Sequence, residues 1–317
     1  IKDYAPNSEE KRSLVEKINE LSSTSVEIPI IIDGKEIKTG NTGNCVKPYD
    51  HAHILGTYHK AGEDEVKMAI ESSLDAWNDW SQTSFEYRAK IFLKMAELLA
   101  GPHRDIINAS TMLNMSKNAY QAEIDAACEL IDFWNFNCWY AQEIYAQQPM
   151  YSPDGTKNQT EHRPLEGFVF AVTPFNFTSI AANLPSAPAL MGNTAIWKPA
   201  SSTVYPAYFL MKLFKEAGLP DGVINLLPGS GAVVGNQVLS HPKLAGIHFT
   251  GSTGVFQSMW KHIGENIKGY ESYPRIVGET GGKDFCIAHE SSNKEALATA
   301  MTRGAFEFQG QKCSAMS

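Results

Sequence analysis

From residue 167 onward, short apolar runs alternate with amphipathic stretches, and no other feature of the chain so narrows the folds open to it. The runs 168–172, 194–197, 223–227, 245–249 and 275–277 are strand-length and almost wholly apolar. A strand with one wet face alternates polar and apolar residues; one that stays apolar throughout is buried on both faces, as in a parallel sheet covered by helices. Segments 205–217 and 255–267 supply such helices. The predicted fold class is α/β, a doubly wound parallel sheet whose ligands sit at the carboxyl ends of its strands. Residues with useful chemistry fall at those ends: Asn176 after the first run, Lys198 after the second, Gly251 and Ser252 after the fourth, Glu279 after the fifth. One crevice can hold them all.

The first half of the chain reads as helices around a hairpin. Asn7 followed by Glu10 predicts a capping-box start to a helix through Leu14, Val15 and Ile18. Runs 26–32 and 36–37 flank Asp33-Gly34, a dipeptide suited to the positive φ of a tight turn. Over 63–80, Val66, Ala69, Ile70, Ala76, Trp77 and Trp80 recur at helical steps, and Ser84 caps the next helix, which Gly101-Pro102 ends. A long helix is predicted over 118–146. Its aromatic set, Phe133, Trp134, Phe136, Trp139 and Tyr140, is expected to be core packing. Glu123 and Asp125 sit near its start, where acids favour a helix N-terminus, and Glu123 is also open to a substrate contact. Segment 148–165, polar and turn-rich with Pro153-Asp154-Gly155, is expected to project and to serve oligomerisation.

Composition removes other classes. At 317 residues the chain can build a full hydrophobic core without a disulfide scaffold. Its five cysteines form no C-x-x-C pair, which fits a reducing, intracellular compartment, and its nine histidines show no metal-ligand spacing, so no metal is expected. A net charge of −8 without like-charge blocks argues against nucleic acid and for a small-molecule ligand. The apolar runs fall far short of the ~20 residues of a membrane span. No membrane association or leader segment is expected from the sequence.

Singly, the motifs are ambiguous. Phe249-Thr250-Gly251-Ser252-Thr253-Gly254 follows a strand and opens a helix, as a pyrophosphate-binding turn does, yet lacks the G-x-G-x-x-G spacing and also reads as a plain connection. Lys198 reads as a ribose contact or a surface cation. Cys313 is a nucleophile or a small buried hydrophobe, Glu279 a carboxylate tuned by desolvation or a helix cap, Asn176 an oxyanion donor or a turn residue. A thiol, a carboxylate and an amide are nonetheless the parts needed to attack a carbonyl, hydrolyse the product and hold an oxyanion.

In their order, Thr173-Pro174-Phe175-Asn176-Phe177, Trp197-Lys198-Pro199, Phe249-Thr250-Gly251-Ser252, Glu279-Thr280-Gly281-Gly282-Lys283 and Gly310-Gln311-Lys312-Cys313 resemble the motif series of the aldehyde dehydrogenase superfamily. Arg163-Pro164-Leu165-Glu166-Gly167-Phe168 and Phe308-Gln309-Gly310-Gln311-Lys312-Cys313-Ser314-Ala315 are similar to its Δ1-pyrroline-5-carboxylate dehydrogenase branch, which oxidises L-glutamate γ-semialdehyde to L-glutamate in proline catabolism. The resemblance implies Cys313 as nucleophile, Asn176 and the Cys313 backbone N–H as oxyanion donors, and Glu279 as general base. It implies NAD as cofactor, with Thr173 on the nicotinamide side, Lys198 on the adenosine ribose, and Gly251, Ser252, Thr253, Gly254 and Val255 along the pyrophosphate. Ser314 becomes a substrate contact. Where many members carry a glutamate that bonds both ribose hydroxyls, this chain has Ser201, a weaker barrier to a 2′-phosphate. The resemblance further implies an NAD-binding domain over 1–283 and the opening of a catalytic domain over 284–317, because the family continues well past this cysteine. It implies a homo-oligomer, a dimer by expectation, a functional link to proline dehydrogenase, and a cytoplasmic location in bacteria or the mitochondrial matrix in eukaryotes.

Overall fold

The computed structural model describes residues 1–316. Its strands are β1 (Val26–Ile28), β2 (Ile30–Ile32), β3 (Lys35–Ile37), β4 (Thr42–Lys47), β5 (Asp50–His59), β6 (Phe168–Val172), β7 (Thr194–Lys198), β8 (Ile224–Leu226), β9 (Leu244–Gly251) and β10 (Arg275–Thr280). Its helices are α1 (Glu9–Ser23), α2 (Glu63–Trp80), α3 (Phe85–Ala100), α4 (Arg104–Met115), α5 (Ala119–Ala122), α6 (Glu129–Ala146), α7 (Thr178–Leu190), α8 (Val204–Glu216), α9 (Gly231–Leu239), α10 (Thr253–Glu265) and α11 (Lys294–Phe306). Among the described residues, no helix is long and apolar enough to cross a membrane.

The main sheet has the order β10-β9-β6-β7-β8-β2-β3. Strands β6 to β10 are all parallel, and the β2–β3 hairpin extends the β8 edge antiparallel. From β6 the chain moves outward through β7 and β8, then returns to β9 on the other side of β6 and continues to β10. The strands alternate between two cores, as a doubly covered sheet requires. On β7, Ala195 and Trp197 join the core built with α3, α4, α6, α7 and α8, while Ile196 joins the core under α2, α9 and α10. A smaller sheet, β1-β5-β4, lies apart from the main one.

Several local expectations shift. The first helix is capped by Ser8, whose side chain accepts from the Lys11 N–H; Asn7 is left-handed at φ 66°. The apolar run 26–32 is two strands, not one. Pro29, with no N–H to donate, divides it, so β1 pairs with β5 while β2 turns through Asp33 (φ 53°) and Gly34 (φ 66°) into β3. The long helix begins at Asn118, which forms a capping box with Gln121, but six residues, Glu123–Cys128, wind as a π-helix between α5 and α6. The aromatic set is not all core. Trp134 is 1% exposed, whereas Phe136, Trp139 and Tyr140 are each more than half exposed, because only one side of α6 faces α3 and α7. Segment 149–162 carries no helix or strand and is exposed throughout. Its two arms are joined by side chains: Gln148 and Thr160 exchange two hydrogen bonds, and Asn158 donates to the Tyr151 carbonyl.

Candidate active site

Strands β6 and β9 lie side by side while their connections run to opposite edges, which opens a crevice at their carboxyl ends. Two cavities occupy this end of the sheet. Asn176, Gly251, Ser252, Glu279 and Cys313 line one of about 510 Å³. The other, about 590 Å³, is lined by Glu129, Phe177, His248 and Ser314 and again by Glu279 and Cys313. The thiol and the carboxylate therefore stand in the wall between a cavity on the glycine side and one on the α6 side.

Backbone geometry brings them together. Lys198, Gly251 and Glu279 lie in the last two residues of β7, β9 and β10, slightly earlier than the sequence pattern predicts. After Thr280, Gly281 turns the chain at φ 63°, and Gly282 then lies so close to the Cys313 carbonyl that a Cβ there would collide with it. From the other side, α11 ends at Phe306, and Phe308, Gln309 and Gly310 follow with φ of 47°, 53° and 72°. The Asn176 side chain donates to the Gln311 carbonyl at 2.6 Å, tying the loop after β6 to the cysteine turn. One amide hydrogen of Asn176 is committed there and the second is left for a ligand. Burial pushes the Cys313 thiol up to about 11, helped by its hydrogen bond to Glu279 and by that carboxylate's charge. The resting group at neutral pH is a thiol that shares both cavities with Glu279, an acceptor placed to take its proton as the sulfur attacks an electrophile.

Lys198 lines neither cavity; it is buried, its stem near Gly231 at the start of α9, and among the described residues its ammonium has no acidic partner and donates to the Pro199 carbonyl at 3.1 Å. Burial lowers its pKa. A buried cation bonded only to a carbonyl keeps donors for a ligand hydroxyl. Ser252 caps α10 by accepting from the Val255 N–H, so Thr253, Gly254 and Val255 are its first turn. The Val255 amide is thus taken, and that residue offers an exposed side chain. At Gly251 a Cβ would crowd the Phe249 ring at 2.8 Å. Thr173 is buried, accepting from the Trp197 indole at 3.0 Å and donating its N–H to the Lys198 carbonyl, so its side chain braces β6 against β7.

Three titratable groups near Cys313 escape sequence reasoning. Glu129 is half-buried and hydrogen-bonded to Ser179, and its pKa is raised, chiefly by burial. Asp125, expected to act as a helix-terminus acid, is instead buried between Lys117 and Lys312. His248, in β9, contacts the Leu184 carbonyl through Nδ1 at 2.9 Å, and burial lowers its pKa. Their one sequence signal is the Asp125-to-Glu129 spacing of four, which places both on one side of a helix. Glu123 does not face either cavity. Its fully buried carboxylate binds Arg104, Asn108, Tyr4 and the Lys2 N–H, so it anchors the amino-terminal segment rather than a substrate.

Known proteins resemble the chain over its length. A probable delta-1-pyrroline-5-carboxylate dehydrogenase of Schizosaccharomyces pombe is 47% identical over the whole chain, which spans 58% of that relative. The mitochondrial delta-1-pyrroline-5-carboxylate dehydrogenase of Dictyostelium discoideum is also 47% identical, over 99% of the chain and 57% of the relative. A crystal structure of the Mycobacterium tuberculosis Delta-pyrroline-5-carboxylate dehydrogenase bound with NAD superposes with a TM-score of 0.97 at 52% identity, over all of this chain and 59% of that one. The chain thus spans less than two thirds of the proteins it matches. The family model described as "Aldehyde dehydrogenase family" matches residues 36–317, and with Cys313, Glu279 and Asn176 at one switch-point crevice, the chain belongs to the aldehyde dehydrogenase family.

Proposed function

We propose that the protein of which this chain forms a part oxidises L-glutamate γ-semialdehyde, the open form of Δ1-pyrroline-5-carboxylate, to L-glutamate, with NAD as cofactor. The observation that carries this reading is that the thiol of Cys313 and the carboxylate of Glu279 line both of two adjoining cavities. Cofactor in the first cavity and aldehyde in the second would meet at the sulfur. The buried Lys198, whose ammonium has no acidic partner among the described residues, and the glycine turn opening α10 fit a dinucleotide, Lys198 toward a ribose hydroxyl and residues 251–254 along the pyrophosphate. When bound, NAD supplies the hydride acceptor.

The chain's own residues supply the rest. Glu279 takes the thiol proton as the Cys313 sulfur bonds to the aldehyde carbon, and the free amide hydrogen of Asn176 with the Cys313 N–H receives the oxyanion. Loss of hydride from that carbon leaves a thioester on Cys313. Glu279, relieved of its proton, then activates water, which adds to the thioester carbonyl and expels the thiol, yielding the carboxylate. Ser314, with Glu129 opposite, provides polar contacts for the amino-acid end. On this reading residues 1–283 form the NAD-binding domain and 284–317 open the catalytic domain. Segment 148–165 serves a homo-oligomer, a dimer, and the substrate, the product of proline oxidation, links the protein functionally to proline dehydrogenase.

Full-length protein supplied with Δ1-pyrroline-5-carboxylate and, separately, succinic semialdehyde should form NADH faster from the former at equal concentration. A preference for succinic semialdehyde would assign the same machinery to another aldehyde.

A further inference from the structure

The turn that presents Cys313 is strained. Phe308 and Gln309 are non-glycine residues in the left-handed region, followed by left-handed Gly310. Such a backbone persists only where its surroundings over-determine it. The surroundings come from a distant part of the chain. Lys117, with no exposed side-chain surface, places its ammonium 4.5 Å from the centre of the Phe308 ring and 4.6 Å from that of Phe177. It donates to Asp125 at 2.6 Å. The same carboxylate meets Lys312, the residue before Cys313, at 2.9 Å. Lys312 also lies 3.4 Å from Glu307, which accepts from Gln121 at 2.8 Å. Asp125 belongs to the π-helical turn 123–128, a winding often found at functional sites.

A buried charge cluster is not the cheapest way to hold a turn. Apolar residues of similar volume often replace buried ion pairs without loss of stability, so the charges call for another role. Asp125 and Lys312 line the same cavity as Cys313, along with Glu129, His248 and Glu279. We propose that Lys117, Asp125 and Lys312 form a charge triad that positions the nucleophile, fixing the strained turn so that the thiol meets Glu279, and setting the charge around the sulfur. The proposal rests on Cys313 being the nucleophile. The three residues are positioning residues: their two ammoniums and one carboxylate stand among Glu307, Glu129 and Glu279, so the loss of any one charge alters the field around the thiol. Removing the Lys312 charge should make the thiol harder to ionise, and removing the Asp125 charge should make it easier.

The test uses full-length protein and three variants, Lys312→Met, Lys312→Arg and Asp125→Asn. Alkylation of Cys313 by iodoacetamide is followed against pH by peptide mass, alongside steady-state turnover and NAD binding. Lys312→Met should move the alkylation midpoint to higher pH and lower kcat at least tenfold with NAD affinity unchanged; Lys312→Arg should restore both. Asp125→Asn should move the midpoint to lower pH. Because Lys312→Met leaves the buried Lys117–Asp125 pair intact, it keeps the test available if Asp125→Asn fails to fold. Midpoints that stay fixed in the folded variants, or a loss in Lys312→Arg equal to that in Lys312→Met, would overturn the proposal. Absence of aldehyde oxidation by the unmodified protein would instead strike at the proposed reaction and leave the alkylation readout standing.

Discussion

Cys313 rests as a thiol because it is partly buried and faces a carboxylate, so its reactivity depends on how closely Glu279 approaches. That approach is set by Gly282, whose missing side chain lets the strand carrying Glu279 pack against the Cys313 backbone. Gly282→Ala is expected to push the two loops apart, lowering turnover at least tenfold while NAD affinity stays within a few-fold. It should also shift Cys313 alkylation to lower pH, since losing the Glu279 contact removes a cause of the raised pKa. Kinetics and alkylation of the purified variant check both. The identities of the thiol, carboxylate and amide were legible from their motifs. Their charged neighbours were not, because Lys117 reads as a loop cation between α4 and α5 and Asp125 and Glu129 have a spacing that an exposed helical face also shows, and only the tertiary fold buries them.

The π-turn between α5 and α6 organises its surroundings through two acids that point to different places. Asp125 serves the cysteine turn, and Glu123 ties the amino-terminal segment to α4 through Arg104 and Asn108. Burial alone would raise the Glu123 carboxyl, but Arg104, the Lys2 N–H and the Tyr4 hydroxyl outweigh it and hold it down to about 2, against an ordinary 4.5. A carboxyl depressed in the folded state contributes stability that is full above its unfolded value and is lost as pH falls through the folded one. Between pH 4.5 and 2 the amino-terminal segment is therefore expected to loosen, seen as faster hydrogen exchange over residues 2–4. Glu123→Ala, which strands Arg104, should cost about 3 kcal/mol at neutral pH in a denaturant titration and abolish that acid transition. Other elements show where sequence reasoning stops. Helix α7 contains Pro185 and Pro188, residues that usually end a helix, and it forms because buried packing on both sides holds it. The break at Pro29, by contrast, follows directly from proline's missing donor.

Across the whole molecule, the sheet was the most legible feature. Four of the five short apolar runs form the buried strands β6 to β9, whereas the fifth, expected to be buried too, is the largely exposed edge strand β10, and the order β10-β9-β6-β7-β8 is one a right-handed α/β chain reaches by winding first one way and then the other. The antiparallel β2–β3 extension was not legible, because it depends on which edge the hairpin reaches. Among the exposed large apolar side chains are the α6 aromatics and Phe285, Ile287 and Phe306 beyond β10. Segment 149–162 is held by side-chain hydrogen bonds, a backbone bond from Thr156 to Pro153 and the packing of His162 on Tyr145, and its proposed role is assembly. Replacing residues 149–164 of the full-length protein with a short glycine-serine link is expected to move its sedimentation toward a smaller species. An unchanged sedimentation coefficient, corrected for mass, would remove the segment from the interface.

Everything proposed for the reaction depends on one sulfur at the junction of two cavities. In the full-length protein, Cys313→Ser should bind NAD with wild-type affinity and form no detectable NADH from Δ1-pyrroline-5-carboxylate, because the hydroxyl is a far weaker nucleophile while the cofactor lies against other strands. NADH formation near the wild-type rate in that variant would contradict the assignment of Cys313.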